Sequence, residues 1–392
     1  AVSTPVVASS GIPFFVGCAP VHGAQGFGQR SSEAFSAVAS AIAAAGIAVA
    51  LREIYEGYME CIEVASGFEE SMSNVKALSG ATADELEDLG GLAKELGATT
   101  KFTAKESADA MGYMAMAGWN AEQMLSGMPG VLQLAAASDE DLALVSDIVT
   151  DSLTAFGLTA SDTSRYADIL AQTATKANTN VALMGETFKY AAPLAGALKY
   201  DVEDVAVATG LMANAGIKGS EAGTTLRNMF TRLAKPTQES AHAMDKLGLS
   251  MSDGTGKMYT WMELMEQMRD SFAGLTEEQK TFYAVELAGQ RGMSGLLAIV
   301  NASEEDFNKL STAISNSSGA AQRMADIKLD NLNGQITLFN SALEATKTTI
   351  GEQLNPTMEE LYGIGMRLSI SVFASSMVLT FFFAMTISFL TK

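Results

Sequence analysis

Met114-Ala115-Met116-Ala117-Gly118-Trp119-Asn120-Ala121-Glu122-Gln123-Met124 closes one helix and opens the next within eleven residues. Gly118 follows a small-residue apolar run, as expected where the residue past a helix end takes a left-handed conformation. Asn120 puts a side-chain oxygen three residues before Gln123, so reciprocal hydrogen bonds satisfy the orphan N–H groups of a first turn. The same punctuation extends both ways along the chain. Thr82 with Glu85, Thr103 with Glu106 and Thr276 with Gln279 repeat the start, and Ser138 with Asp141, Asp201 with Asp204 and Ser303 with Asp306 are acidic variants that complement the helix dipole. Gly97, Gly157, Gly216 and Gly248 repeat the stop. Between these marks the apolar residues fall three and four apart, as in Leu142, Val145, Val149, Leu153 and Phe156, which makes one buried stripe per helix. The reading is an all-α protein of many short helices.

Met111 to Leu132 lines up with Ala192 to Ala213, each a small-residue helix that ends at an aromatic before a polar cap starts the next, so two related hairpins are expected. Only Leu249 to Met251 and Met258 to Thr260 alternate with period two, around Asp253-Gly254-Thr255-Gly256, which predicts a small β-hairpin near 249–260. From Leu329 the apolar spacing narrows. Leu329, Leu332, Ile336, Phe339 and Leu343, rejoined by Ile350 after Thr346, form a coiled-coil seam of roughly three heptads, which predicts a homo-oligomer. Leu368 to Leu390 is uncharged between Arg367 and Lys392 and long enough for a hydrocarbon core of about 30 Å. Leu368, Val372, Phe373, Phe381, Phe382, Phe383 and Leu390 are its membrane candidates, although seven Ser and Thr residues spread around the same helix. Ala37 to Leu51, also uncharged, is too short to span. The expected organisation is an irregular N-terminal arm (1–30), a leading helix (31–80), a helical core holding the two hairpins (81–235), a hairpin-containing loop with helices (236–301), a coiled-coil-like helix (302–366) and a hydrophobic helix (367–392).

The chain has 392 residues, and its 45 acidic against 25 basic side chains leave a formal charge of −20. That balance opposes attraction to nucleic-acid phosphates or anionic lipid, and no sequence-specific nucleic-acid binding is expected. Cys18 and Cys61 lie in unrelated contexts, which suits a reducing compartment, and the first residues lack the basic region of a secretory signal. His22 and His242 are the only histidines, and neither stands near the residues of a metal site or a Ser-His triad. Gly23 to Gly28 and Gly256-Lys257 echo phosphate loops. In the second, Met251 stands where the first glycine belongs and Met258 follows the lysine, so both read as turns. Asp139, Glu140 and Asp141 sit together at a helix start, where capping accounts for them. Of 22 methionines, Met111, Met114, Met116, Met124 and Met128 crowd one region, as core filling or as an adaptable surface. No catalytic residue, metal site or cofactor is expected.

Phe68-Glu69-Glu70-Ser71-Met72-Ser73-Asn74-Val75-Lys76-Ala77, Leu96-Gly97-Ala98-Thr99-Thr100-Lys101-Phe102-Thr103 and Met116-Ala117-Gly118-Trp119 together resemble the phage tail tape measure family. So do Ala174-Thr175-Lys176-Ala177-Asn178-Thr179-Asn180, Gly210 to Ser220, Gly223 to Arg227 and Asp330-Asn331-Leu332-Asn333-Gly334. The likeness covers about 56–361. It implies a virion component inside the tail tube that sets tail length during assembly and leaves with the DNA. Its implied partners are the tail tube protein, tail assembly chaperones and tail tip or baseplate proteins. It implies host cytoplasm during assembly and the host inner membrane on infection. Two features depart from the family pattern. Thr4 to His22 (TPVVASSGIPFFVGCAPVH) is similar instead to the start of a contractile tail sheath subunit, implying a fusion or a joined sequence. A single helix from Ser31 to Met366 would reach on the order of 500 Å, but the glycine stops forbid it, so the long ruler segment is missing. The competing readings are a membrane-inserting helical bacterial protein, resting on Leu368 to Leu390, and a cell-wall hydrolase, for which no glutamate or Cys-His site is found.

Overall fold

Every described element is a helix, and most begin where a threonine or asparagine binds the amide three residues on. The computed structural model describes residues 30–355. These fall into two units that divide after Tyr58. In the first, the leading part of α1 (Arg30–Ser79) carries an Arg52–Glu56 pair one turn apart. The second begins at Met59 and holds the rest of α1, then α2 (Ala83–Thr99), α3 (Ala104–Met116), α4 (Ala121–Ser138), α5 (Leu142–Phe156), α6 (Thr163–Lys176), α7 (Val181–Ala197) and α8 (Val202–Asn214). It continues with α9 (Gly219–Ala234), α10 (Gln238–Leu247), α11 (Trp261–Ala273), α12 (Glu277–Val300), α13 (Glu304–Ser315), α14 (Ala320–Leu329) and α15 (332–355). Both hydrogen bonds of the capping box form at Thr82, Thr103, Asn120 and Thr276, and also at Thr260 with Glu263.

The corner between α3 and α4 recurs through the chain. After α3, Gly118 takes φ +88°, its N–H bonds to Ala115 O, and the Trp119 N–H bonds to Met114 O. These two bonds satisfy carbonyls that a helix end leaves orphaned. After α7, Lys199 takes φ +62° with the equivalent bonds from Lys199 to Gly196 and from Tyr200 to Ala195. Gly216 and Ile217 repeat the pattern after α8, as do Gly157 and Leu158 after α5, and Gly248 and Leu249 after α10. The residue after the left-handed one is buried at Trp119, Tyr200, Ile217 and Leu249, so each of these corners is nailed into the core. Tyr200 meets Phe230 and Trp261 at 5.2 and 5.6 Å, and those two rings stack edge to face at 4.7 Å.

From α2 to α9 alternate helices are neighbours, and α12 then packs on α9. One row runs α3, α5, α7, α9, α12 and a second runs α2, α4, α6, α8. The first row closes to backbone contact where a side chain is missing. A Cβ on Gly196 would lie 2.2 Å from Ala155 O, and one on Gly223 2.4 Å from Thr187 O. A third row then retraces the second, with α13 on α8 and α6 and α14 on α6 and α4. Asp168 of α6 pins it, accepting the Gly319 N–H at 2.7 Å and the Ala321 N–H at 2.9 Å. That return brings α15 alongside α1, in parallel. Lys347 meets Glu60 at 2.6 Å, Gly351 lies on Cys61 and Ala65, and the Asn355 amide donates to Glu69 at 3.2 Å.

Several sequence expectations need correction. Gly97 is no stop, since α2 continues to Thr99; it is glycine because an added Cβ would lie 2.5 Å from Ala104 N. Ser138 belongs to α4 and donates to Leu134 O, while Asp141 itself caps α5 through the amides of Ala143 and Leu144. Asp201 stands at the start of α8 without a side-chain cap bond. The expected hairpin near 249–260 is reduced to one antiparallel bridge, Ser252 with Met258. Its turn is held by Asp253, which accepts from the amide and hydroxyl of Thr255, so the chain doubles back without room for a ladder.

Asp204 turns inward from α8 and accepts the Met262 N–H at 3.0 Å, holding the first turn of α11. Burial pushes its carboxyl up to about 6, opposed by the Met262 bond and reinforced by Asp201, Glu203 and Glu263. The folded group therefore keeps its proton to about pH 6, whereas the unfolded chain releases it near the ordinary 3.8. Its contribution to stability falls as pH rises from 4 through 6, by on the order of 2–3 kcal/mol. Asp204→Asn should match the wild type at pH 4 and exceed it at pH 7 by about that amount in urea denaturation. Glycines give predictions of opposite sign. Gly196→Ala forces a Cβ into backbone that cannot move aside and should destabilise by about 1–3 kcal/mol. Gly91→Ala, on the open face of α2 with nothing within 4 Å, should stabilise by roughly 0.5–1 kcal/mol. Thermal midpoints of the two variants should move in opposite directions.

Candidate functional site

The last described helix is built inside out. Leu332, Ile336, Phe339, Leu343 and Ile350 all face solvent, with Leu332 76% and Phe339 67% exposed. The opposite face, Gly334, Ser341, Ala345, Thr348 and Gly351, is buried against the helix's own unit. At Gly351 only glycine fits, because a Cβ would lie 2.1 Å from Cys61 O. Ser341 donates to Lys101 O at 2.9 Å, and Lys94 pairs with Glu352 at 2.9 Å. Residues 331–343 carry no charge at all.

Asn331 makes this helix start where it does. Its side-chain oxygen accepts the Gly334 N–H at 3.0 Å and its carbonyl accepts the Gln335 N–H, while its amide donates to Lys328 O. Gly334 is required, since a Cβ would sit 2.2 Å from Leu329 O. Leu329 therefore belongs to α14 and is half-buried, and the exposed stripe begins at Leu332. The three-four spacing carried the seam through this corner, although an asparagine three residues before a glycine was there to mark a cap. Beside the stripe lies a cleft of about 650 Å³, lined in part by Leu96, Leu132, Ile327, Leu329 and Leu338.

The other singled-out residues are taken up by structure. Met111, Met114, Met124 and Met128 are fully buried, and Met116 is exposed. Asp139 takes a left-handed conformation at the end of α4 and pairs with Lys328 and Lys101. Gly256 and Lys257 lie in the turn held by Asp253, and His242 is exposed on α10. Among the described residues no group of three or more His, Cys, Asp or Glu side chains is arranged to hold a metal. No single described helix is long and apolar enough to cross a membrane. The membrane candidates Leu368, Val372, Phe373, Phe381, Phe382, Phe383 and Leu390, and the arm from Thr4 to His22, lie outside the described residues.

Comparison with known proteins adds family membership. Residues 90–289, just over half of the chain, match the family described as phage-related minor tail protein. The tape measure protein of Pneumococcus phage Dp-1 is 40% identical over 302 residues, covering 77% of this chain and 26% of that protein. The probable tape measure protein of Escherichia phage P2 is 28% identical over 325 residues, covering 82% of this chain and 39% of that protein. The chain thus spans well under half the length of either relative. No solved structure matches it. With the stacked corners running from α2 into α12 lying within the matched residues, the chain belongs to the phage-related minor tail protein family and is a relative of phage tape measure proteins.

Proposed function

We propose that this chain works as a structural part of a phage tail, carried inside the tail tube, where it takes part in assembly, in setting tail length and in DNA delivery. The observation that carries the reading is the stripe on α15, a set of large apolar side chains that the other described residues leave exposed, as an assembly component requires. Asp141, Asp168 and Asp253 are taken up by bonds to backbone amides, as structural residues. The names of the two relatives support the tail role, and the family likeness suggests the tail tube protein, assembly chaperones and tip or baseplate proteins as partners. Host cytoplasm during assembly and host inner membrane on infection complete the proposed itinerary. The two relatives do not favour the alternative, a membrane-inserting helical bacterial protein resting on Leu368 to Leu390.

Deleting the gene in the phage that encodes it should leave lysates without tails of uniform length, and mass spectrometry of purified wild-type tails should detect residues 59–355. Normal tails from the deletion, or recovery of the protein only in host membranes, would overturn the tail role.

A further inference from the structure

We propose that the cleft between α5 and α7 binds an alkylammonium group, the charged end of a lysine side chain or of a free polyamine, through Asp147, Asp151, Glu186 and Ser152. The cleft measures about 670 Å³ and follows the two helices along their length. A Cβ on Gly185 would fall 2.5 Å from Ile148 Cγ1 and one on Gly196 2.2 Å from Ala155 O, so the helices run parallel and touch at two levels. A group of exposed carboxylates alone is ordinary surface, and the hydroxyl beside it is what marks a site. Ser146, Thr150 and Thr154 of α5 each return their hydroxyl to the carbonyl four residues back, at 2.8, 2.9 and 2.8 Å. Ser152, 4% exposed and lining the cleft, makes no such bond, nor any other among the described residues. Near it the Tyr166 hydroxyl is buried without a partner, pushed up by burial and drawn back down by Ser152. Two buried hydroxyls with unused capacity are destabilising until a donor reaches them. An N–H in the cleft would donate to Ser152 Oγ, whose own proton is then free to turn to Tyr166.

Charge selects a cation. Asp147 and Asp151 stand one turn apart on α5, where like charges repel, and burial with the Asp151 charge raises the Asp147 carboxyl. Glu186 lines the cleft from α7, and none of the three carboxylates enters an ion pair among the described residues. Lys189 also lines the cleft but is exposed and equally unpaired, so three carboxylates against one lysine leave a formal charge of −2. No three of the described carboxylates are arranged to hold a metal, which disfavours a bare ion. An ammonium carries three rotatable donors on a flexible stem and can reach acceptors on both helices. Ile148 and Phe188 give that stem an apolar wall.

The site does not depend on the tail role, and its test reads an affinity separately from the deletion experiment. The full chain is titrated by isothermal calorimetry with two probes, Nα-acetyl-lysine methylamide and the diamine cadaverine. At least one should bind, and the tighter of the two assigns the source to a protein side chain or to a free polyamine. Asp147→Asn with Asp151→Asn should weaken the tighter probe by at least about 30-fold, because charge-assisted bonds are lost. Ser152→Ala should weaken it by about 5-fold or more, with helical circular dichroism unchanged in every variant. Lys189→Met removes a competing positive charge and should bind at least as tightly. Absence of binding by both probes at millimolar concentration, or wild-type affinity in Ser152→Ala, would overturn the site. Weaker binding in Lys189→Met would show that the lysine holds the ligand and overturn the choice of a cation. Displacement of the probe by an equal concentration of magnesium would reduce the cleft to a diffuse acidic surface and overturn the proposal as well.

Discussion

The left-handed residue at the end of a helix, with its two backbone bonds and the large side chain that follows, is the constraint on which this architecture depends. At Gly118 and Trp119 it ends α3, turns the chain and anchors the turn in the core. With four more such corners, at Gly157, Lys199, Gly216 and Gly248, helices related by two in sequence become neighbours in space from α2 to α9. Stacking in two rows follows from that periodic reversal, much as a solenoid follows from its repeat. The close approaches at Gly196 and Gly223 then set how tightly the rows can pack, since backbone meets backbone there without an intervening side chain.

The third row explains why α15 has two faces. Asp168 holds the start of α14 on α6, and the return path delivers α15 onto a stretch of α1 that offers little room. At Gly351 even a Cβ would meet the Cys61 carbonyl, so the face that docks there is a small one. The large apolar residues are left facing outward. Full burial of a leucine, isoleucine or phenylalanine is worth roughly 1.5–3 kcal/mol each, so the outward stripe holds burial that this face of the helix has not realised.

Capping boxes were legible because every atom that decides them lies within four residues. Thr82, Thr103, Asn120 and Thr276 start helices whatever surrounds them. Gly97 and Gly118 look alike in sequence, yet one is a close contact inside a helix and the other a helix end, because only the first has Ala104 folded back against it. Lys199 carries no local mark of its left-handed conformation; the burial of Tyr200 beside Phe230 and Trp261 holds it there. Asp204 reads as an acidic cap by position and is instead drawn across to the amide of Met262.

The amino-acid sequence by itself determined that the chain is helical, where most helices begin, which residues form the apolar stripe and which family it resembles. These are local chemistry and periodicity. Tertiary structure alone decided that α15 starts at a corner after Leu329, which of its two stripes faces the body, and that α1 is what it lies against. The stripe of Leu332, Ile336, Phe339, Leu343 and Ile350 and the stripe of Gly334, Ser341, Ala345, Thr348 and Gly351 both repeat at helical spacing. Spacing cannot choose between them; the choice was made by the Cys61 carbonyl and Ala65 on a helix some 290 residues earlier in the chain, where there is space for a glycine and none for a leucine.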